Sequence, residues 1–204
     1  MKIGNKYKIA KRLGASVFEK TQTQKFAIAA ERSAMNKKRG RGRGATEYGK
    51  QLLEKQKVRF TYGLGERQFR NYVEEAMEAK GATPVELLHR ALEMRLDNIV
   101  YRLGLTKTRR AARQMVSHGH ITVNGTKTTI PSRRIFIGDV ISVREGSKGA
   151  ALFEGLAEKF AERTMPSWLT FEVKTMGGGV QELPTSETAD VAGDLVAVIS
   201  FYSR

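Results

Sequence analysis

Apolar side chains recur at helical spacing through the first half of the chain and predict three helices there. Thr46 is a suitable N-cap for the first helix, whose apolar stripe begins at Tyr48 and which a pair of glycines ends. The second helix runs from about Glu66 to Lys80. The third begins at Thr83-Pro84, an N-cap followed by proline at the first helical position, and extends to Gly104 either unbroken or in two pieces.

The pattern then changes to a short helix followed by strands. Thr108 predicts the N-cap of a helix from Arg109 to His118. Asn124-Gly125 between two apolar runs is a strong hairpin signal, so we expect a strand before it and a return strand to Ile130. A further strand at Val140–Val143 would complete a small antiparallel sheet, so residues 93–145 are predicted as two helices and a sheet.

The last quarter of the chain mixes both patterns. An amphipathic helix is predicted over residues 152–163, and residues 166–171 are predicted to be extended. Gly177–Gly179 is predicted as a loop, and the apolar run 195–202 as a strand. Helices and strands in separate stretches predict an α+β fold.

Net charge narrows the class of protein. The 204 residues carry 36 Lys and Arg against 21 Asp and Glu, which gives +15 and a pI near 10.2. A pI this high is typical of nucleic-acid binders. No apolar run reaches the ~18 residues of a membrane span, and no apolar stretch follows the N-terminal methionine, so neither a membrane protein nor a secreted one is expected. We therefore expect a cytoplasmic protein.

The charge is concentrated toward the N-terminus. Residues 1–46 carry a net charge of +11, residues 47–150 carry +8, and residues 151–204 carry −4. The segment 36–46, with alternating arginine and glycine, is predicted to be flexible when free. It is either a solvated basic linker or a phosphate-binding strand that orders on RNA, and the second interpretation is favoured because glycines allow close backbone approach.

Candidate catalytic chemistry is absent from the sequence. With no cysteine, the chain has no disulfide, thiol nucleophile or cysteine-based metal site, and His118 and His120 are too close in sequence to share a helix face as ligands. Gly177–Gly179 lacks the Lys-Ser/Thr of a phosphate loop. We predict no enzymatic activity, no metal, no cofactor and no small-molecule substrate.

Two stretches of sequence carry a resemblance to a known family. The first is Glu47–Arg59 (EYGKQLLEKQKVR), continued by Tyr62-Gly63 and Glu66–Tyr72. The second is Arg95–Gly104 (RLDNIVYRLG), continued through residues 108–125. They resemble the bacterial and organellar family of the fourth protein of the small ribosomal subunit, "S-four", over nearly the whole chain. Many members have four N-terminal cysteines that bind zinc or a cluster; this chain has none, so it resembles the metal-free branch. Residues 20–46 also lack the family's usual Pro-Gly-Gln-His-Gly segment.

The resemblance implies a fold and a function. The fold is a helical domain formed by the N-terminal third and the C-terminal segment, with an inserted RNA-binding domain. The expected boundaries are a basic extension at 1–46, a helical domain at 47–92 completed by 190–204, the RNA-binding domain at 93–160, and an extended connection at 161–189. The implied function is primary binding of the 5′ domain of 16S ribosomal RNA to nucleate subunit assembly, near the mRNA entry channel, with an effect on translational accuracy. The implied partners are this RNA, mRNA at the entry channel and the small-subunit proteins "S-five" and "S-three".

Cationic and polar side chains are the candidate RNA contacts. Arg109 and Arg113 lie near a helix start, which suits a phosphate, although they could form a solvated face. Arg67 and Arg70 could instead pair with acids of their own helix, and Tyr48 is as suitable for the core as for stacking. The full set is Lys37, Lys38, Arg39, Arg41, Arg43, Tyr48, Lys50, Lys55, Lys57, Arg59, Arg67, Arg70, Arg109, Arg110, Arg113, Ser117, His118, His120, Asn124, Arg133 and Arg134.

Two alternatives from other classes remain. Arg95-Leu96-Asp97 superficially resembles the motif of pseudouridine synthases, whose aspartate is a nucleophile, but little chain remains for a catalytic domain of ~150 residues. The second alternative is a free-standing nucleic-acid chaperone or translational repressor. Retention on the small subunit through a high-salt wash would separate a subunit protein from such a factor.

Overall fold

The computed structural model describes residues 3–39, 46–153, 155, 165–185 and 193–203, and of residues 33, 34 and 36–39 it describes the backbone alone. The chain divides into two compact units. The terminal unit comprises Met1–Leu88 and Asp190–Arg204, and the central unit comprises His89–Ala189. The described residues contain eight α-helices and one five-stranded antiparallel sheet, which confirms the α+β prediction.

Two helices precede the first predicted one, and the sequence analysis did not anticipate them. Helix α1 is Lys6–Leu13, where Asn5 Oδ1 accepts from the amides of Tyr7 and Lys8. Helix α2 is Gln24–Arg39. A small cluster packs α1 and the 3₁₀ turn that follows it, and its buried members are Ala10, Leu13, Val17 and Phe18.

Helices α3 (Glu47–Thr61) and α4 (Glu66–Glu78) follow the prediction closely. Thr46 caps α3 as expected, because its Oγ1 accepts from the amide of Gly49 at 3.2 Å. Gly63 adopts a left-handed φ of 63° between the two helices, a conformation that glycine reaches without steric cost.

The apolar run near the C-terminus is a helix and not the predicted strand. Helix α8, Leu195–Tyr202, starts at Asp194, whose Oδ1 accepts from the amides of Val196 and Ala197 at 2.8 and 3.3 Å. The Asp194 amide donates to Glu54 Oε2 of α3 at 3.0 Å, and a Cβ at Gly193 would lie only 2.9 Å from Val58. The cap and packing against α3 outweigh the strand preference of a β-branched run.

The third predicted helix is broken, one of the two arrangements the pattern allowed. Helix α5 is Pro84–Glu93, and it contains the boundary between the units, while α6 is Leu96–Arg102. Arg95 between them is extended and forms a β-bridge with Arg134. Helix α7, Arg109–Ser117, is capped by Thr108 as predicted, through a bond from the Ala111 amide to Thr108 Oγ1 at 3.0 Å.

The sheet has the strand order β2-β1-β3-β5-β4, with every neighbouring pair antiparallel. The strands are β1 (Ile121–Val123), β2 (Thr126–Lys127), β3 (Val140–Val143), β4 (Leu169–Glu172) and β5 (Gly177–Val180). The Asn124-Gly125 hairpin is confirmed, since both residues have positive φ, but the return strand ends at Lys127 and does not reach Ile130.

Strand β5 corrects a second expectation, because Gly177–Gly179 belongs to the sheet and is not a loop. A Cβ at Gly178 would collide with the Thr170 carbonyl of β4, so only glycine allows this pairing at that position. The predicted helix over 152–163 lies outside the described residues, apart from a 3₁₀ turn at Ala151–Phe153.

One hydrophobic core holds the central unit together. It joins α6 and α7 to the inner face of the sheet. Its fully buried members include Leu96, Ile99, Leu103, Ala112, Val116, Ile121, Val123, Ile135 and Ile141, with Trp168, Leu169 and Val180 closing it from β4 and β5.

Candidate RNA-binding surface

Two of the candidate cations in the terminal unit form ion pairs with one carboxylate. Lys55 Nζ of α3 lies 2.6 Å from Glu66 Oε1, and Arg59 lies 3.2 Å from Glu66 Oε2. Tyr202 of α8 donates its hydroxyl to the same Glu66 Oε1 at 3.0 Å. Lys55 is only 6% exposed and also lies 4.6 Å from the Phe201 ring, so this lysine is placed inside the unit and not on its surface.

The same contacts shift the pKa values of the acid groups in this cluster. Burial alone would raise the pKa of Glu66, but hydrogen bonds from Lys55 and Tyr202, together with the charges of Lys55 and Arg59, lower it below its usual value. Burial and the bond to the Glu66 carboxylate raise the pKa of Tyr202. Glu66 is therefore ionised and Tyr202 protonated at neutral pH, and the cluster fastens α8 to α3 and α4.

The other candidates of the terminal unit remain near the surface. Lys50 lies 3.6 Å from Glu47, Lys57 lies 2.6 Å from Glu54, and Arg70 lies 2.7 Å from Glu74 on their own helices. The Lys50 and Arg70 pairs are exposed, so they are weak and leave these cations available to phosphate, whereas the Lys57 pair is partly buried. Arg67 is exposed and has no ion pair among the described residues. Tyr48 is 53% exposed, with its ring centroid 5.3 Å from that of Phe201.

In the central unit, Asp97 binds two arginines. Arg95, which is 3% exposed, donates to both Asp97 oxygens at 3.0 and 2.8 Å. Arg113 of α7 donates from Nε and Nη2 to Asp97 Oδ2, each at 2.8 Å. The Arg113 side chain is 30% exposed. The carboxylate therefore fixes Arg113 with its guanidinium at the edge of the unit, and Asp97 has a structural role.

A second network lies beside the first and fixes Arg109. The Glu93 carboxylate, which is buried, accepts two bonds from Arg102 at 2.9 Å and one from Asn98 Nδ2 at 2.8 Å. Asn98 Oδ1 in turn accepts from Arg109 Nε at 2.8 Å, and the Arg109 guanidinium lies 4.4 Å from the Tyr101 ring. Buried polar groups are thus paired with one another, which is what their desolvation requires.

Around these networks lie cations with no ion pair among the described residues. Arg110 on α7, Lys107 just before it and Lys127 on β2 are all exposed. Gly119 ends α7 with φ 74°, and a Cβ there would collide with the Lys127 side chain, so the glycine lets Lys127 lie across the end of the helix. Ser117 and His118 at the same helix end are exposed.

The remaining candidates of the central unit have mixed roles. His120 lies inward, with Nδ1 3.1 Å from Ser147 Oγ. The Asn124 side chain joins the hairpin to the start of β3, because Nδ2 donates to Asp139 Oδ1 at 2.7 Å and Oδ1 accepts from the Val140 amide at 2.8 Å. Arg133 is half-buried and Arg134 is exposed on the extended stretch that pairs with Arg95.

The basic segment of the sequence analysis is described only in part. Lys37, Lys38 and Arg39 form the last turn of α2, so this portion is helical where flexible chain was expected; lysine and arginine are good helix formers. Arg41 and Arg43 lie outside the described residues.

Two exposed cations of this surface, Lys107 and Lys127, were not among the residues predicted from the sequence. The signal for Lys127 was the hairpin register, because pairing Thr122 with Lys127 returns the lysine to the end of α7.

Within the described ranges, no group of His, Asp and Glu side chains is arranged to hold a metal ion. None of the helices there has the length and hydropathy to cross a bilayer. Guanidinium groups held in place, together with exposed ammonium groups, are suited to binding a polyanion.

Two family models match this chain and define its class. Residues 1–92 match the family model described as the ribosomal protein S4/S9 N-terminal domain, and residues 94–141 match the S4 domain. The chain therefore belongs to the class of proteins that join these two domains.

Individual relatives define the family. A protein of Roseiflexus castenholzii is 44% identical over 207 residues, covering 99% of this chain and 98% of the relative. One of Burkholderia thailandensis is 43% identical over 206 residues, with the same coverage, and one of Lachnospira eligens is 40% identical over 177 residues, covering 87% and 89%. Each is named small ribosomal subunit protein uS4. The chain belongs to the uS4 family, which confirms the resemblance, and because this family is structural and not enzymatic, the pseudouridine synthase alternative is set aside.

Proposed function

We propose that this chain is a structural constituent of the small subunit of the cytoplasmic ribosome, and that it is the primary binder of the 5′ domain of 16S ribosomal RNA. Membership of the uS4 family supports the ribosomal assignment. The S4 domain at residues 94–141 supports RNA as the ligand. Binding early and alone would allow the chain to nucleate assembly.

The observation that carries the proposal is the placement of cations in the central unit. Arg95 and Arg102 are taken up by buried carboxylates, whereas Arg110, Lys107 and Lys127 are exposed without an ion pair in the described part of the unit. The exposed charges lie around both ends of α7, where the Thr108 cap and the Gly119 turn hold the backbone. We infer that these three cations bind RNA phosphates, together with Arg109 and Arg113 at the edges of the two networks.

The mode of recognition follows from the residue types. RNA junctions are recognised largely by shape, through phosphates and 2′-hydroxyls. Cations spread over several elements suit that task better than a row of base-reading side chains. Release of counterions would then dominate the affinity, which would fall steeply with salt concentration.

Finer aspects of the proposal rest on the family. We propose the terminal helical domain at 47–92 and 190–204, with the basic extension 1–46 before it, the RNA-binding domain at 93–160 and the connection at 161–189. The chain would lie beside the small-subunit proteins "S-five" and "S-three" near the mRNA entry channel and influence accuracy. The net charge of −4 on residues 151–204 favours a protein neighbour over RNA for that segment.

The experiment that tests the proposal combines a footprint with a wash. The full chain is bound to a transcript of the complete 16S RNA, and backbone cleavage by hydroxyl radicals is mapped. We expect protection confined to the 5′ domain, and retention of the chain on small subunits through a high-salt wash. Protection in another domain would contradict the site, and loss in the wash would favour the chaperone or repressor alternative.

A further inference from the structure

One turn of the central unit holds an aromatic ring in solvent. Phe136 is 63% exposed, and the next residue, Ile137, is 55% exposed. The strand-like alternation of the sequence would place Ile135 and Ile137 on the same face, yet Ile135 is 1% exposed and Ile137 is not in the core. Val140, at the start of β3, is also half exposed. A group of three exposed apolar side chains on a small basic unit requires an explanation.

The turn is rigid, so the exposure of Phe136 is a fixed feature. Asp139 Oδ2 accepts from the Phe136 amide at 2.8 Å, and the Asp139 amide donates to the Phe136 carbonyl at 3.1 Å. Asp139 Oδ1 accepts from Asn124 Nδ2 of the neighbouring hairpin at 2.7 Å, and the Gly138 amide donates to Val180 of β5 at 3.0 Å. Four hydrogen bonds thus fix the backbone on which the ring is displayed.

The ring has no aromatic or cationic partner among the described residues, in contrast to Tyr48, which packs on Phe201. Two cations come shortly before it in the chain: Arg134 precedes it by two residues and is exposed, with the buried Ile135 between them. Arg133, just before Arg134, is half-buried. The exposed ring is therefore two residues from an exposed arginine on an extended stretch, where side chains two residues apart lie on the same side of the chain.

We propose that Phe136 is a stacking platform for one unpaired nucleobase of the bound RNA, and that Arg134 binds the phosphate beside that base. This inference rests on the proposed RNA-binding function and adds to it the structure of the ligand, which must present a base that is out of helical stacking. Aromatic rings flanked by arginine are the usual receptors for such bases.

The size and charge of the site favour a base over a protein surface. A stable protein interface buries about 800 Å² on each partner around an apolar centre. Three apolar side chains bordered by Asp139, Gly138 and two arginines are too few for that centre, whereas a single ring matches the area of one base. The guanidinium groups complement phosphate and would carry a desolvation penalty in an apolar protein interface.

The test measures binding of full-length variants to the 5′-domain transcript at several KCl concentrations. We expect F136A to weaken binding about 10-fold, the size of one lost base stack, and to leave the dependence on salt unchanged because the ring is uncharged. F136W should bind within about 2-fold of wild type, since its ring still stacks. F136L, which keeps the apolar surface without the ring, should be as weak as F136A, and I130A, at a 60% exposed isoleucine outside the turn, should bind normally. Ultraviolet cross-linking should join Phe136 to a single nucleotide.

Two results would overturn the inference: F136A binds naked RNA as tightly as wild type, or F136L restores binding. Normal binding of F136A to naked RNA, together with weaker retention in assembled subunits, would identify a protein partner for the turn. If the wild-type chain itself failed to bind the transcript, the proposed function would fail first, so the two failures are distinguishable.

Discussion

Arg113 Nε lies 2.8 Å from Asp97 Oδ2, so an arginine suited to phosphate is held in place by a carboxylate that is 3% exposed. The same carboxylate binds Arg95, a side chain as buried as itself. Asp97 therefore has two effects: it neutralises a guanidinium inside the central unit, and it fixes the direction of another at the edge.

Replacing Asp97 by asparagine tests the structural effect. D97N removes the negative charge that faces the buried guanidinium of Arg95, so we expect a loss of about 3–5 kcal/mol in the unfolding free energy of the central unit. Trp168, the only tryptophan and a buried one, reports on this unit in urea titrations followed by fluorescence. The matched control is E182Q, at an exposed acid of the same unit, which should change the unfolding free energy by less than about 0.5 kcal/mol. Equal stability of D97N and E182Q would mean that the buried pair contributes nothing.

Arg110 offers the cleanest test of a phosphate contact, because it is exposed and has no ion pair among the described residues. We expect R110Q to reduce the slope of log K against log salt by about 0.7–0.9, the contribution of one phosphate, without changing stability. The control is K174Q, which removes an exposed cation from the β4–β5 turn of the same unit. Filter binding of both variants to the RNA over a range of salt concentrations measures these slopes. An identical slope for R110Q and wild type would exclude the contact.

The Glu66 cluster predicts a stability effect that depends on pH. The pKa of Glu66 is lowered in the folded chain, so its contribution is fully present above the unfolded pKa of about 4.5 and is lost as the pH falls through the folded pKa. At pH 7 we expect E66Q to lose about 1 kcal/mol of unfolding free energy, because it removes the counter-charge of buried Lys55 while solvent screens the Glu66 carboxylate, which is 47% exposed. The difference from wild type should vanish in strong acid.

Denaturation followed by circular dichroism between pH 3 and pH 7 measures this difference. The matched control is E74Q on the same helix, because Glu74 pairs with the exposed Arg70 and should contribute less than about 0.5 kcal/mol. A constant E66Q effect across the range would show that the carboxylate charge is not what joins α8 to α3 and α4.

His89 predicts a pH effect in the central unit. The ring is 1% exposed, and among the described residues its only hydrogen-bonding contact is a weak one with the backbone of Pro184. Burial lowers its pKa below the usual 6.5, although the charge of Glu93 opposes the shift. Between the two pKa values the unfolded chain binds the proton and the folded chain does not, so the unfolding free energy falls as the pH drops below about 6.5.

Replacing His89 by leucine removes this titration. We expect H89L to flatten the loss of stability between pH 6.5 and pH 5, and to equal or exceed wild type at pH 7.5, because only the weak contact with the Pro184 backbone is lost. Trp168 fluorescence in urea at each pH measures both quantities. An unchanged pH profile in H89L would assign the acid sensitivity to other groups.

Local signals predicted the parts of the fold that local chemistry determines. Thr46 and Thr108 cap helices because their hydroxyls accept from amides three residues away, and Asn124-Gly125 turns the hairpin because both residues reach positive φ. Leu195–Tyr202 was wrongly predicted as a strand because its helix depends on α3, far away in sequence. Gly177–Gly179 was wrongly predicted as a loop because its strand depends on the Thr170 backbone.

The same division applies to the candidate surface. The sequence identified the cations, but not which of them face solvent, because their partners come from other elements. Lys55 is drawn inward by Glu66 of α4, and Arg113 is held by Asp97 of α6. Lys127 was missed for the converse reason, since only the hairpin register brings it to the end of α7.

The most direct test of the central claim is the salt dependence of binding between the full chain and the 5′ domain of 16S RNA. Association constants measured by filter binding from low to high KCl should give a slope of log K against log salt steeper than about −4, as several cations each displace a counterion. An affinity that does not change with salt would contradict the account, because the exposed arginines and lysines would then have no part in holding the RNA.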